Sequence, residues 1–361
     1  MCGSTLQRLS LTFCSQVTDK GFISIACYCP FLFVICLVRC SITDNGLGLM
    51  TKSCKSLVEV NLTYCNNITD CGIQYLSQNC RQLKVSLQLL PIVHCFLLSV
   101  ICLIGCSITD SMLEILAKSC KSLIEVKLYT CTHITNRGIQ YIFQNCRQLR
   151  ALKIRSCKKV VGLGLRGFSS TLTILEASCC ALDSTDVTEI LRGGVGLEYL
   201  RLSWDVNERI FLGQGLTSIG LGNLKVLDIE WCKSIEDDVI ISISKGCPLL
   251  RDWDLSHCPK VGLRGWESIG LYCQNLEIIH VYGCTRFCDK GLLCLGNGCK
   301  RLSIIWFGNG MNITSNGLSA FNLQRQDVKI NKGSDATISF TSWRFTWPFK
   351  ELQLSREPEF E

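Results

Sequence analysis

Residues 57–83 read LVEVNLTYCNNITDCGIQYLSQNCRQL, and this unit determines the fold because most of the chain repeats it. Its first half places apolar side chains at Leu57, Val60 and Leu62 and then Cys65, as in a short strand that ends at a corner. In its second half, apolar residues recur at three- to five-residue spacings, which is typical of a short helix. One strand and one helix cannot bury both apolar faces alone, so the unit predicts stacked copies of itself.

The pair Thr69-Asp70 directly precedes the helical half of this unit. A hydroxyl or carboxylate at this point can accept hydrogen bonds from free backbone amides of the first helical turn. Negative charge there also suits the helix dipole. We therefore predict that the pair caps the helix it precedes.

The composition favours one folded repeat array over several domains. The chain has 361 residues, of which 47% are hydrophobic and 19% charged, so it can bury a large apolar surface and is not expected to be disordered. Its net charge of +7 is modest for this length, and no Lys/Arg block is present. We therefore do not expect nucleic acid as a partner.

The chain contains 27 cysteines. A disulfide framework is typical of short secreted chains, whereas this chain is long, has an odd number of cysteines and starts without a basic and then apolar signal region. We predict a reduced, intracellular protein in the cytoplasm, the nucleus or both.

The residue at the Cys65 position serves as a marker of the repeat. It recurs about twelve times, and most steps are 25 or 26 residues, within the range of leucine-rich repeats. The marker residues are Cys14, Cys40, Cys65, Cys106, Cys131, Cys157, Cys180, Trp204, Cys232, Cys258, Cys284 and Gly310.

A second cysteine ends many of the helical stretches. A small, largely apolar side chain with a weak S–H donor can be buried at such a corner, beside the same residue of the next coil. A zinc site needs four converging ligands, and corners stacked along an axis do not converge. We therefore predict packing cysteines, no metal and no cofactor. The second cysteines are Cys29, Cys54, Cys80, Cys120, Cys146, Cys247, Cys273 and Cys299.

The pattern LxxLxLxxC followed by ITDxG occurs in LQRLSLTFCSQVTDKGF, LVEVNLTYCNNITDCGI, LIEVKLYTCTHITNRGI and LEIIHVYGCTRFCDKGL. It resembles the cysteine-containing leucine-rich repeats of F-box/LRR proteins and of the related Amn-type proteins without an F-box. The resemblance covers roughly residues 5–320. It implies an α/β leucine-rich-repeat solenoid, or horseshoe, with parallel strands on the concave face and short helices on the convex face.

We expect the repeat array to occupy residues 1–330 and a non-repeat tail to occupy residues 331–361. Residues 40–83 and 106–149 align without gaps, which indicates a tandem duplication with an insert near 84–100. The uncharged run from Val85 to Thr109 is long enough to span a membrane, but Pro91 interrupts it and its last part matches a strand. We favour an apolar insert, or an artefact of the gene model, over a membrane span.

The resemblance also implies a function. In F-box/LRR proteins an F-box precedes the repeats and docks the Skp adaptor of a cullin-RING ubiquitin ligase, but no such motif precedes Leu6. The resemblance implies the substrate-binding part of an SCF-type E3 ubiquitin ligase in ubiquitin-dependent protein degradation. Skp adaptor and cullin are partners only if the full-length product contains an F-box. The alternative is an F-box-free leucine-rich-repeat adaptor or scaffold without a ubiquitin role.

Catalytic motifs are not found in the sequence. The four histidines fall in different repeats, and neither a GxSxG elbow nor a Walker-type GKS or GKT occurs. We therefore predict that the chain is not an enzyme. His280 lies at an outward strand position, where it could touch a ligand, and we expect an ordinary surface histidine there.

The repeats do predict a binding surface. Residues between the buried strand leucines point outward and align from coil to coil. They give a basic centre at Lys127, Lys153, Arg155 and Arg201, an acidic stretch at Asp228, Glu230, Asp252 and Asp254, and an aromatic end at Tyr282 and Trp306. Like charges held about 5 Å apart repel, which favours a partner of opposite charge. We predict that a substrate protein binds the concave face. The predicted residues are Lys127, Tyr129, Lys153, Arg155, Arg201, Asp228, Glu230, Asp252, Asp254, His280, Tyr282 and Trp306.

Overall fold

The molecule is built on parallel strands that stack in chain order. The computed structural model describes residues 5–79, 99–161, 170–180, 196–203, 222–308 and 312–332. Within these ranges, thirteen strands form one open sheet in which each strand pairs with the next along the chain. The strands are β1 Arg8–Thr12, β2 Val34–Val38, β3 Glu59–Asn61, β4 Val100–Ile104, β5 Glu125–Tyr129, β6 Ala151–Arg155, β7 Ile174–Ser178, β8 Tyr199–Arg201, β9 Val226–Asp228, β10 Asp252–Asp254, β11 Ile278–His280, β12 Ile304–Phe307 and β13 Lys329–Lys332.

Short helices follow the strands and pack against one another as a second layer. Parallel strands with crossover helices are the predicted α/β leucine-rich-repeat architecture, which is confirmed. In the described part of the chain the helices are α1 Asp19–Tyr28, α2 Asp44–Ser53, α3 Asp70–Asn79, α4 Asp110–Ser119, α5 Asn136–Asn145, α6 Asp237–Gly246, α7 Leu263–Tyr272, α8 Asp289–Gly298 and α9 Ser315–Gln324.

The core lies between these two layers. In the unit at residues 57–83, Val60 and Leu62 point inward from the strand segment and Ile73 and Leu76 from the helix, and all four are fully buried. The same positions of the other coils join them in one continuous core. Burial of each such side chain stabilises the fold by roughly 1.5–3 kcal/mol. Each coil therefore depends on its neighbours for most of its stability.

The corner cysteines of the described residues are buried as predicted, except the half-buried Cys14, and their thiols link successive coils. The Sγ of Cys65 donates to the Leu37 carbonyl at 3.4 Å, and the Sγ of Cys131 donates to the Leu103 carbonyl at 3.0 Å. The second cysteines of the described residues are C-caps, as Cys54 is for α2. Cys80 and the markers Trp204 and Gly310 lie outside the described residues. All cysteines of the described residues are free thiols. Their role in packing is confirmed.

The Thr-Asp pair acts across coils as well as within one. The Thr69 hydroxyl accepts a hydrogen bond from the Cys71 amide at 3.3 Å, as predicted. The Asp70 carboxylate bonds instead to the next coil, where it accepts from the Thr109 amide at 3.0 Å and from its hydroxyl. The prediction that Asp70 caps its own helix is therefore wrong, because its carboxylate bonds to Thr109 of the next coil. The same link joins Asp19 to Thr43, Asp44 to Thr69, Asp110 to Thr135 and Asp289 to Thr314.

This link explains the glycine of the ITDxG motif. A Cβ on Gly72 would overlap the Asp44 Oδ1 of the preceding coil, and a Cβ on Gly138 would overlap the Asp110 Oδ1. Glycine is therefore required because a carboxylate from the neighbouring coil occupies the space of its missing side chain.

The end of the long uncharged run is strand β4, which pairs with β3 and β5. The proposed insert lies mostly in residues 80–98, and the tail mostly in residues 333–361, both outside the described residues. Where the structure is described, no helix combines the length and apolarity that a membrane crossing requires.

Candidate protein-recognition face

The twelve predicted binding residues all lie on the side of the sheet that faces away from the helices. Ten belong to strands β5 to β12, and Glu230 and Tyr282 lie two residues beyond β9 and β11. Because the strands pair in register, their middle outward residues form one line across the sheet, here termed the central row. The central row is Lys127, Lys153, Glu176, Arg201, Asp228, Asp254, His280 and Trp306.

The basic part of this face begins with two lysines that share one carboxylate. Glu125 Oε1 lies 3.6 Å from Lys127 Nζ and 3.2 Å from Lys153 Nζ. Burial opposes ionisation of Glu125, but the two lysines outweigh it and hold its pKa below the ordinary value. Arg155 is exposed and forms no ion pair with the described residues. Positive charge is therefore most accessible at Arg155.

Arg201 does not belong to the basic centre in which the sequence analysis placed it. Its Nε lies 2.9 Å from Asp228 Oδ2, and its Nη1 lies 3.8 Å from Glu176 Oε1. Burial disfavours its charge, but Asp228 and then Glu176 outweigh burial and raise the pKa of Arg201 well above its ordinary value. Arg201 is thus the cation of a buried ion-pair network, and its charge is already matched by the protein itself.

Glu176 is a residue of this network that the site prediction missed. Its Oε2 accepts a hydrogen bond from the Tyr129 hydroxyl at 3.0 Å, so it connects Tyr129 to Arg201. The signal was present in the sequence, because Glu176 occupies the same outward position of its strand as Lys153 and Arg201. A prediction based on stretches of like charge overlooked a single carboxylate between two cations.

The residues of the acidic stretch are more buried than expected for side chains on the solvent-facing side of a sheet. Asp228 is 1% and Asp254 7% exposed, whereas Glu230 is half-buried. One carboxylate oxygen from each of the three lies within 4.8 Å of the others. Burial raises the pKa of Asp228 to about 7 against the attraction of Arg201, and burial followed by repulsion from Asp254 raises the pKa of Glu230 to about 7. These groups therefore form one strongly coupled cluster.

The expectation of a surface histidine at position 280 is wrong. His280 is only 1% exposed, because the Trp306 ring stacks parallel to it with ring centroids 6.0 Å apart. Its Nε2 lies 3.4 Å from Asp252 Oδ1. Burial opposes protonation of His280, but Asp252 and then Asp254 outweigh it and raise its pKa. Tyr282 packs elsewhere, with its ring edge-to-face against His257.

An apolar patch adjoins the charged groups on the same face. Ala151, Ile174 and Tyr199 are buried, Val226 packs against them, and the four form a hydrophobic cluster separate from the main core. They occupy one outward position on four consecutive strands. Ala151, Ile174 and Tyr199 are already buried in the free chain, so they support the face and add little contact area. The sequence analysis considered charge and aromatic content and so left this patch out of the site.

Comparison with known proteins agrees with this architecture. A family model described as "Leucine Rich repeat" matches residues 4–26 and 53–77. The chain is 37% identical over 216 residues to F-box/LRR-repeat protein 12 of Arabidopsis thaliana, covering 59% of this chain and 50% of that protein. It is 29% identical over 163 residues to F-box protein SKIP1 of Arabidopsis thaliana, covering 37% of this chain and 54% of that protein. The chain is a cysteine-rich leucine-rich-repeat protein related to the F-box/LRR proteins.

A further relative is similar in sequence, and two solved structures are similar in fold. The leucine-rich-repeat protein is 23% identical over 274 residues to F-box/LRR-repeat protein 4 of Bos taurus, covering 72% of this chain and 37% of that protein. Its fold is similar to that of a chain in the yeast Rad7 and Elc1 complex, with a TM-score of 0.62, 17% identity and coverage of 91% and 81%. An internalin of Listeria monocytogenes gives a TM-score of 0.52, 14% identity and coverage of 92% and 87%. The chain spans about half the length of the first two curated relatives.

Proposed function

We propose that this leucine-rich-repeat protein is the substrate-recognition region of an SCF-type E3 ubiquitin ligase. Its concave face would hold a target protein while another subunit supplies the ubiquitin-transfer chemistry, so the chain itself would catalyse nothing. Two relatives support this proposal through their names, F-box/LRR-repeat protein 12 and F-box protein SKIP1. The Rad7 structure, solved together with Elc1, supports a protein partner for this kind of solenoid.

The observation that carries the proposal is accessible positive charge on an ordered sheet face. Ala151, Ile174 and Tyr199 are buried and support this face, and the half-buried Val226 beside them is apolar. Arg155 and the half-buried Lys153 lie on the strand that begins with Ala151. A target that places acidic groups beside Lys153 and Arg155 fits this face.

The proposed partners and compartment follow from the same assignment. Skp adaptor and cullin would bind through an F-box in the full-length product, and the target would bind through the repeats. The free thiols of the described residues support a reducing compartment, the cytoplasm or the nucleus.

Co-precipitation tests the ligase role. The full-length gene product and residues 1–361 alone are each expressed with a tag, and Skp adaptor, cullin and target are quantified in both. We expect the full-length product to recover all three and the repeat chain to recover the target alone. Recovery of neither Skp adaptor nor cullin by the full-length product would remove the ligase role and favour the F-box-free adaptor.

A further inference from the structure

A second site is centred on the carboxylates of strand β9 and strand β10. Asp228 and Asp254 are adjacent in register, and Glu230 lies on the same face two residues after Asp228. One oxygen from each of the three approaches the others within 4.8 Å. Three carboxylates brought this close repel one another strongly when ionised. Positive charge placed among them relieves that repulsion.

The protein supplies part of that charge. Arg201 lies 2.9 Å from Asp228 Oδ2 and contributes one positive charge against the three carboxylates. His280, in register with Asp254 on the next strand, can add a second positive charge. A divalent cation among the carboxylates would relieve the repulsion that remains.

Unsatisfied polar atoms around the cluster are a second, independent observation. Two buried side-chain atoms next to the cluster, Ser256 Oγ and His280 Nδ1, have no hydrogen-bond partner among the described residues. Asp228 Oδ2 and His280 Nε2 are not counted with them, because they contact Arg201 Nε at 2.9 Å and Asp252 Oδ1 at 3.4 Å. Ser256 and His280 are each 1% exposed. Ser256 lies two residues after Asp254 on the same face, and His280 pairs in register with Asp254. Buried polar atoms are normally satisfied, so their concentration here indicates a bound polar species.

The size and chemistry of the site select the ligand. The near-complete burial of Asp228 and Asp254 favours a small ion over the bulky basic side chain of a partner. Carboxylate and hydroxyl oxygens are hard ligands, which suit calcium better than zinc. Calcium–oxygen distances of about 2.3–2.6 Å place oxygens on opposite sides of the ion about 5 Å apart, which matches the spread of the cluster.

We propose that Asp228, Glu230 and Asp254 bind one oxygen-preferring divalent cation of the calcium class, with Ser256 beside it. The sequence analysis predicted no metal because it considered cysteine and histidine spacing, whereas these ligands lie about 26 residues apart on consecutive coils. The site is independent of the proposed ligase role, since it needs no F-box and no target.

Calcium titration of residues 1–361 tests the proposal. The protein is treated with a chelator, dialysed, and titrated with CaCl₂ in a calorimeter, while Tb³⁺ emission excited through tryptophan reports binding near Trp253 and Trp306. We expect one site per chain. Glu230→Gln and Asp254→Asn each weaken the affinity about tenfold or more, because each removes a charged ligand while keeping the side-chain shape.

The matched control is Glu114→Gln, which removes a half-buried carboxylate of helix α4, away from the sheet face, and leaves the affinity unchanged. Calcium also raises the thermal midpoint of the wild type and of the control, but not that of Glu230→Gln. Glu230 is only half-buried, so of the two variants Glu230→Gln is less prone to misfold. Circular dichroism checks that both variants are folded. Absence of calcium and Tb³⁺ binding to the wild type, or equal affinity in folded Glu230→Gln and Asp254→Asn, would overturn the proposal.

Discussion

Gly72 has no space for a side chain, because the Asp44 carboxylate lies against its Cα and is held there by Thr69. We expect Gly72→Ala to lower the free energy of unfolding by about 1–3 kcal/mol, since the added methyl must displace that carboxylate. Urea denaturation measures the difference. Gly222→Ala is the matched control, because a Cβ there meets no heavy atom within 4 Å. Equal stability of the two variants would contradict this explanation of the glycine.

Arg201 provides a second test at the scale of one residue. Arg201→Met removes the buried cation between Glu176 and Asp228, so we expect a loss of about 3–5 kcal/mol in the free energy of unfolding. Lys225→Met is the control, because the Lys225–Glu198 pair is 42% and 44% exposed and such pairs contribute about 1 kcal/mol or less. If both substitutions cost the same in urea denaturation, Arg201 is not the centre of a buried network.

At the scale of the element, the start of helix α3 depends on the coil before it. Asp44→Ala removes the acceptor of two hydrogen bonds, from the Thr69 amide at 2.8 Å and from the Thr69 hydroxyl at 2.6 Å. We expect a loss of about 1–2 kcal/mol and faster hydrogen exchange at the Cys71 and Gly72 amides. Asp238→Ala is the control, because Asp238 lies in the first turn of α6 and its side chain is 79% exposed. Unchanged exchange at these amides in Asp44→Ala would contradict the link between coils.

The elements themselves could be predicted from the sequence, because apolar spacing around Val60, Leu62, Ile73 and Leu76 reports which side chains face the core. The partner of Asp70 could not be predicted, since Thr109 lies 39 residues away and becomes a neighbour only when the coils stack. Local sequence determined each strand and helix, whereas stacking determined which polar groups bond across coils.

In the candidate site too, the position of a residue on its strand could be predicted, whereas its contacts with other strands could not. The alternation of strand residues was sufficient to place Lys153 and Asp254 on one face. Their surroundings could not be predicted, because burial of His280 depends on Trp306 of the next strand and neutralisation of Arg201 depends on Asp228. The apolar patch at Ala151 also requires knowledge of register across four strands.

At the scale of the whole molecule, the buried thiols predict loss of stability in alkali. Burial raises the pKa of Cys65, Cys106 and Cys146 to about 12 from the ordinary 9.0. The thiols of the unfolded chain therefore lose their protons at a lower pH than the buried thiols of the folded chain. The stability that the protonated buried thiols contribute is complete below about pH 9 and falls as pH rises towards about 12. Urea midpoints measured between about pH 8 and about pH 11 check this. A Cys65→Ala variant is expected to show a shallower fall, and a pH-independent midpoint in the wild type would contradict the account.

The central claim concerns the concave face of the whole solenoid, and the affinity of the target protein for this chain tests it most directly. Lys153→Glu combined with Arg155→Glu reverses the accessible positive charge beside the apolar patch. The control combines Lys158→Glu with Lys159→Glu, which reverses two exposed lysines just beyond the same strand. We predict a dissociation constant about tenfold or more higher for the first variant and an unchanged constant for the control. Equal affinity of the wild type and the Lys153→Glu/Arg155→Glu variant would contradict recognition through this face.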